Sequence, residues 1–270
     1  MSMQAENIEK WNINEWWERI ENVEDVIADR AVQHQTSRDI NELLFFNYGR
    51  VVLCLKEILT LLINGYPDGA LAIARTVYEI CTLTKFIYKK YEGDNNTDLI
   101  ERYFADGNIK ATKPLLKLNS GLSKIRPDII NLKDRVKELK KSLKNMRRRY
   151  GEIDTQYWWA REEFEECVTF KKIDDSVNDD FFMRVLYERA CIGIHASSIG
   201  SYALLGRQNE SGNIIYTTPT DDGFEVPLLL SMVCHDQIVH ILCKHWGLNE
   251  EELLPDVSQQ YEKYLGKLFS

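Results

Sequence analysis

The chain predicts an all-α fold: a multi-helix bundle with a projecting helical hairpin and one small β excursion. Three observations lead there. Apolar residues recur at helical spacing through most of the 270 residues,. Helix-starting and helix-stopping residues punctuate those stretches. Only one segment, 213–226, is rich in β-branched and aromatic residues around a turn dipeptide.

The spacing predicts helices over 14–34, 37–64, 68–91, 97–118, 127–150, 157–170, 178–205, 226–246 and 249–268. Thr36 or Ser37 suits the start of the second, Pro67-Asp68 the third and Pro127 the fifth,. Asn249 opens the last, with Glu252 three residues on as in a capping box,. Gly65, Gly93, Gly151, Gly206 and Gly247 fall near the stops,. The β excursion reads as a surface hairpin, with Ile214–Thr218 returning as Phe224–Val226 after Asp222-Gly223, or as an ordered loop between two helices,. No repeat or long linker divides the chain, so residues 1–270 read as a single helical domain.

Within 127–150, Ile129, Leu132, Val136, Leu139, Leu143, Met146 and Tyr150 follow a strict 3-4 alternation. That is a narrow heptad seam for one partner helix. The other faces are basic. Nine Lys or Arg lie between Lys133 and Arg149 against Asp134 and Glu138, a local charge of +7 in a chain of −8, which leaves −15 elsewhere. The stretch 157–170 looks complementary, with Trp158, Trp159 and Phe164 for packing and Glu162, Glu163, Glu165 and Glu166 for charge. An antiparallel hairpin over 127–170 follows as an expectation. Lys137, Lys140, Lys141, Lys144, Arg147, Arg148 and Arg149 either form a solvated face or hold RNA phosphates. Tyr150, Tyr157, Trp158 and Trp159 either pack or stack on unpaired bases.

Composition is that of an ordinary globular protein, 44% hydrophobic and 28% charged, with a pI near 5.3,. No run reaches the roughly 18–20 apolar residues of a membrane span, and the N-terminus lacks the apolar core of a secretory signal. The six cysteines are scattered without a Cys-x-x-Cys pair and read as reduced, mostly buried groups,. A cytoplasmic protein without membrane contact is expected. His235, Asp236, His240, Cys243 and His245 crowd one helix, but their spacing points them in different directions, and no metal site or cofactor is expected,. Phosphate-binding glycine loops and the Gly-x-Ser-x-Gly elbow are missing.

Two helices carry isolated ionisable groups. From Gly69 to Thr84 the only charges are Arg75 and Glu79, one helical turn apart in an apolar helix,. They form a core ion pair, or they line a pocket with Tyr187 and His195. From Ala190 to Gly206 no Lys, Arg, Asp or Glu occurs, and His195 stands alone. Tyr187, Cys191 and His195 share a helix face. Arg189 precedes His195 by six positions, within the Arg-x(4–6)-His pattern of HEPN ribonucleases, which this chain resembles there. Such chemistry uses histidine as general acid/base and arginine to stabilise charge on phosphorus. Six positions put the two side chains roughly 120° apart, so one helix does not easily aim both at one phosphate; the HEPN resemblance implies a homodimer whose two motifs face each other. Ala190 departs from the pattern, where a polar residue is usual.

The run Gly69-Ala-Leu-Ala-Ile-Ala-Arg-Thr-Val-Tyr-Glu79, and Leu186-Tyr187 through Cys191 to His195-Ala-Ser197, resemble the Ala-x(2)-Arg-x(3)-Glu and Tyr-x(3)-Ser-x(3)-His-x-Ser helices of a bacterial family of unknown function, DUF5677. Cys191 replaces its small hydroxyl residue. The resemblance covers about 40–205. It implies an all-helical fold and recurring polar residues Arg75, Glu79, Tyr187 and His195, with kinship to HEPN domains and hence to toxin or phage-defence ribonucleases. The expected function is a metal-independent endoribonuclease with His195 and Arg189 catalytic. The alternative is a non-catalytic module binding a small ligand or protein partner through the Arg75, Glu79 and Tyr187 pocket.

Overall fold

The computed structural model describes residues 3–33, 39–126, 132–194, 205–209, 212–215, 219–220, 223–254, 262 and 266. Helices dominate them: α1 (Met3–Lys10), α2 (Ile13–Gln33), α3 (Ile40–Ile63), α4 (Pro67–Asp94), α5 (Thr97–Ile125), α6 (Leu132–Tyr150), α7 (Phe170–Val177), α8 (Phe181–Ile194), α9 (Glu225–Trp246) and α10 (Glu250–Leu253). The all-α expectation holds.

Helix α4 is the hub, packed against α3, α9, α8 and α7. Its start is set by Pro67, whose missing N–H costs nothing in the first turn,. Its end is Asn95 in the left-handed region, φ 50°,. Helix α3 supplies an apolar stripe of Leu44, Tyr48, Val51, Leu55 and Ile58, all buried,. Asp39 caps α3, its carboxylate accepting from the Glu42 N–H at 3.0 Å. That corrects the expected Thr36 or Ser37 start, which lies outside the described residues. Helix α9 is long and apolar enough to cross a membrane, but 78% of that window is buried inside the protein. Across it, the Asp236 carboxylate takes the Arg19 guanidinium of α2 at 2.9 Å.

Three expectations need correction. First, 157–170 is not a helix against 127–150. Trp158–Glu163 is a short 3-10 turn, an extended stretch follows, and α7 starts only at Phe170. Trp158 and Trp159 are each 1% exposed, and the Trp158 indole donates to Asp106 of α5 at 2.8 Å. These tryptophans fasten the turn to α5 and cannot stack on a nucleic-acid base. Helix α6 pairs with α5 instead, turning Val136, Leu139, Leu143 and Met146 inward while Lys137, Lys141 and Arg148 stay exposed. Ile129 lies outside the described residues.

Second, the acidic stretch does not neutralise α6. Glu163 pairs with Lys90 at 3.1 Å and with Arg102 at 3.4 Å. Glu162 also pairs with Arg102, and Glu166 with Lys172 at 2.6 Å. Third, the expected hairpin over 214–226 is not formed. Phe224 is the N-cap of α9, so 224–226 enters a helix, and the short antiparallel pairing joins Leu205–Asn209 (β1) to Gly212–Ile215 (β2). Gly206 therefore lies in an extended segment. Of the cysteines, Cys54, Cys81, Cys234 and Cys243 are buried as expected, whereas Cys167 is exposed.

The most demanding polar group in this core is Asp174 on α7, 5% exposed. It accepts from the Tyr78 hydroxyl of α4 at 2.7 Å and from the Asn178 amide at 2.6 Å. Arg184 of α8 sits beside it as an ion pair at 3.1 Å. Asp174→Ala strands these donors in the interior. Arg184 keeps Asp175 at 2.7 Å, but the buried Tyr78 and Asn178 donors each lose an acceptor at about 1–3 kcal/mol, and urea unfolding of the variant is expected to show a loss of that order.

Candidate functional site

The α4–α8 face gathers the isolated polar groups. On α4, Arg75 and Glu79 are half-buried rather than fully enclosed, at 27% and 33% side-chain exposure. The helix places them one turn apart, and the Arg75 Nε donates to Glu79 Oε1 at 3.0 Å,. From α8, the Tyr187 hydroxyl donates to the same oxygen at 3.0 Å. The structure thus brings Arg75, Glu79 and Tyr187 together. Cys191, one turn after Tyr187, lies against its hydroxyl.

Aromatic rings fix Tyr187 in place. It stacks on Tyr78 with centroids 4.6 Å apart, and Phe170 of α7 lies 5.3 Å away,. Tyr157, in the turn before Trp158, meets Phe170 at 6.4 Å and feels the charges of Glu79 and Arg75. The site is therefore a carboxylate and a guanidinium at the edge of an aromatic cluster.

Burial, and then the Glu79 charge, push the Tyr187 hydroxyl well above its ordinary range,. It remains a proton donor at neutral pH. Burial pulls the Arg75 guanidinium down, but its interactions with Tyr187 and Glu79 outweigh that and raise it. Arg75 is a permanent cation whose Nε is already committed.

Arg189 is exposed. Two positions from Tyr187, it is turned by roughly 200° around α8 and does not join the Arg75 cluster within one chain. His195 lies outside the described residues, as does Ser197. The basic side chains of α6 project to solvent. Among the described residues, no carboxylate lies within 4 Å of Lys137, Lys140, Lys141, Lys144 or Arg148, whereas Arg147 pairs with Asp154 at 3.2 Å and Arg149 with Glu101. The histidines of α9 are occupied singly. His235 Nδ1 is 3.2 Å from Asp236, His240 Nδ1 2.8 Å from Glu250, and His245 Nε2 3.1 Å from Asn41.

A second polar lattice escaped the sequence reading. Asn178 donates to Thr82 Oγ1 at 3.0 Å and accepts from Lys85 Nζ at 2.5 Å. Lys85 also donates to Gln237 Oε1 at 3.3 Å. One signal was available: Asp174 and Asn178 stand four apart, each directly after an apolar residue, Ile173 and Val177, two polar groups on the inner side of a short amphipathic turn,.

Tyr157 offers a test of this electrostatic setting. Burial, helped by Glu79, pushes its hydroxyl from the ordinary 10 up to about 12. The folded state holds this proton more tightly than the unfolded chain. The stability it lends is complete below the unfolded value and is lost as pH rises through the folded one. Unfolding midpoints measured between about pH 9 and 11 should therefore fall more steeply for the wild type than for Tyr157→Phe. Parallel curves would show that Tyr157 ionises alike in both states.

No curated protein and no solved structure matches the chain. A family model described as a family of unknown function, DUF5677, matches residues 41–213, a span that holds α3 to α8 with Arg75, Glu79 and Tyr187. The chain belongs to the DUF5677 family.

Proposed function

We propose that the protein is a metal-independent endoribonuclease of the HEPN type, acting as a homodimer in a toxin or phage-defence role. The observation that carries this reading is the convergence of Arg75, Glu79 and Tyr187 at a half-open α4–α8 face, with His195 eight positions after Tyr187 in the sequence. In this reading His195 is the general acid/base and Tyr187, its hydroxyl held by Glu79, lines the pocket,. Arg75 and Glu79 orient the pocket. Arg189, exposed on the other side of α8, supplies the phosphate-stabilising cation to the pocket of a second subunit. The unpaired lysines of α6 hold the RNA backbone by charge, without aromatic stacking.

One observation favours a non-catalytic second reading. Arg75 and Tyr187 both spend their hydrogen bonds on Glu79, which leaves a self-satisfied cluster suited to binding a small ligand or a protein partner. The readings separate on RNA cleavage. Purified protein incubated with RNA should cleave it in EDTA, and His195→Ala should lower the rate about 10²- to 10⁴-fold while leaving the circular dichroism melt unchanged. Arg189→Ala should lose activity alone, and mixing it with His195→Ala should restore part of it if the site is shared between subunits. Cleavage that survives in His195→Ala, or that needs a divalent metal, defeats the proposal.

A further inference from the structure

Between α4, α7, α9 and α10 lies a cavity of about 510 Å³ that shares no lining residue with the Arg75 cluster. Its size falls within the roughly 300–1,000 Å³ of small-molecule sites. Much of its wall is apolar: Tyr88 from α4, Val177 from α7, Val233 and Ile241 from α9, and Leu254 just past α10.

The polar groups in this wall are unequally satisfied. Glu92 is taken by Lys244, Glu250 by His240 and Asp236 by Arg19. Glu92 and Asp236 thus each have a cation, and Glu250 an imidazole. Two ammonium groups do not have the converse. Lys85 donates only to the neutral oxygens of Asn178 and Gln237, and Lys89, one turn on, donates to the Ser176 carbonyl at 2.9 Å. Among the described residues neither has a carboxylate within 4 Å. Gln237 spends its oxygen on Lys85 and on the Cys81 thiol, which leaves its amide N–H groups as further donors.

A half-buried ammonium with only neutral acceptors is an incomplete ion pair. Lys85 is such a group; with the solvent-exposed Lys89 one turn on and the Gln237 amide, beside an apolar wall, it defines a complement: an anionic head on an aliphatic body. We infer that this cavity binds an amphipathic anion, a carboxylate or phosphate monoester on a medium-length aliphatic chain. The head would sit at Lys85, Lys89 and Gln237, and the chain would lie along Val177, Val233 and Ile241. The inference is independent of RNA cleavage.

Titration calorimetry on the full chain tests it with four probes below their micelle concentrations: octanoate, octyl phosphate, octanol and octyltrimethylammonium. Octanoate or octyl phosphate should bind, and the tighter of the two identifies the head group. Octanol and the cation should bind at least about tenfold more weakly, the usual scale of one charge-assisted hydrogen bond. Lys85→Met should cost a similar factor. Because Lys85 also bridges α4 to Asn178, its melt is recorded, and Ile241→Trp serves as a second variant that fills the cavity and keeps Lys85. Both should abolish or weaken binding, and Lys85→Arg should retain it. The proposal is overturned if neither anion binds, if octanol binds as tightly as octanoate, or if Ile241→Trp binds unchanged.

Discussion

The buried carboxylate of Asp174 is the constraint on which the α4–α8 region depends. A carboxylate taken out of water must find donors, or folding loses several kcal/mol. Asp174 finds two, the Tyr78 hydroxyl on α4 and the Asn178 amide just after its own helix, and the Arg184 guanidinium of α8 sits beside it as a counter-charge. These contacts fix α7 against α4 and hold α8 alongside, while the start of α8 is set by Asp180, whose carboxylate accepts from the Phe182 N–H at 2.8 Å. Burial, and then Asp174, push the Tyr78 hydroxyl well above its ordinary range, so it stays a donor,. The stack of Tyr187 on Tyr78 then follows, and through it the hydrogen bond from Tyr187 to Glu79. The outer cluster is therefore placed by an inner one.

How much of this was legible depends on whether a feature is local. The helices α2, α3, α4 and α9 rest on apolar periodicity and on local signals such as Pro67 and Gly247, and the sequence predicts them closely. Arg75, Glu79 and Tyr187 were legible for a similar reason: a polar group isolated in an apolar helix must face another one. The partner of α6 was not legible. A heptad seam says that one helix will cover it but not which one, and the basic face suggested the acidic stretch. Trp158 and Trp159 decided otherwise. They are large, they bury against α5, and Asp106 there satisfies the Trp158 indole. The glutamates beside them then answer Arg102 and Lys90, cations on α5 and α4 that needed counter-charges.

The missed lattice of Asp174, Asn178, Lys85 and Gln237 shows the other limit. Each of these residues lies on a different turn, and its role exists only once α4, α7 and α9 meet. Asp174 reads as an ordinary charge in a polar sequence, Lys-Lys-Ile-Asp-Asp-Ser, and only its four-residue spacing to Asn178 sets it apart from Asp175, which is exposed. The distinction belongs to the helix phase, which points Ile173 and Asp174 inward together.

Because the acidic stretch is committed elsewhere, most of the basic surface of α6 stays uncompensated among the described residues, only Arg147 and Arg149 of the proposed RNA-holding set meeting a carboxylate. A separation of +7 against −15 along one molecule makes it a strong electric dipole. In the field of any polyanion such a molecule is turned before it touches, with α6 leading and the acidic body held back. Its orientation on arrival would then be chosen by long-range torque rather than by contact, and would become random as added salt shortens the reach of that field.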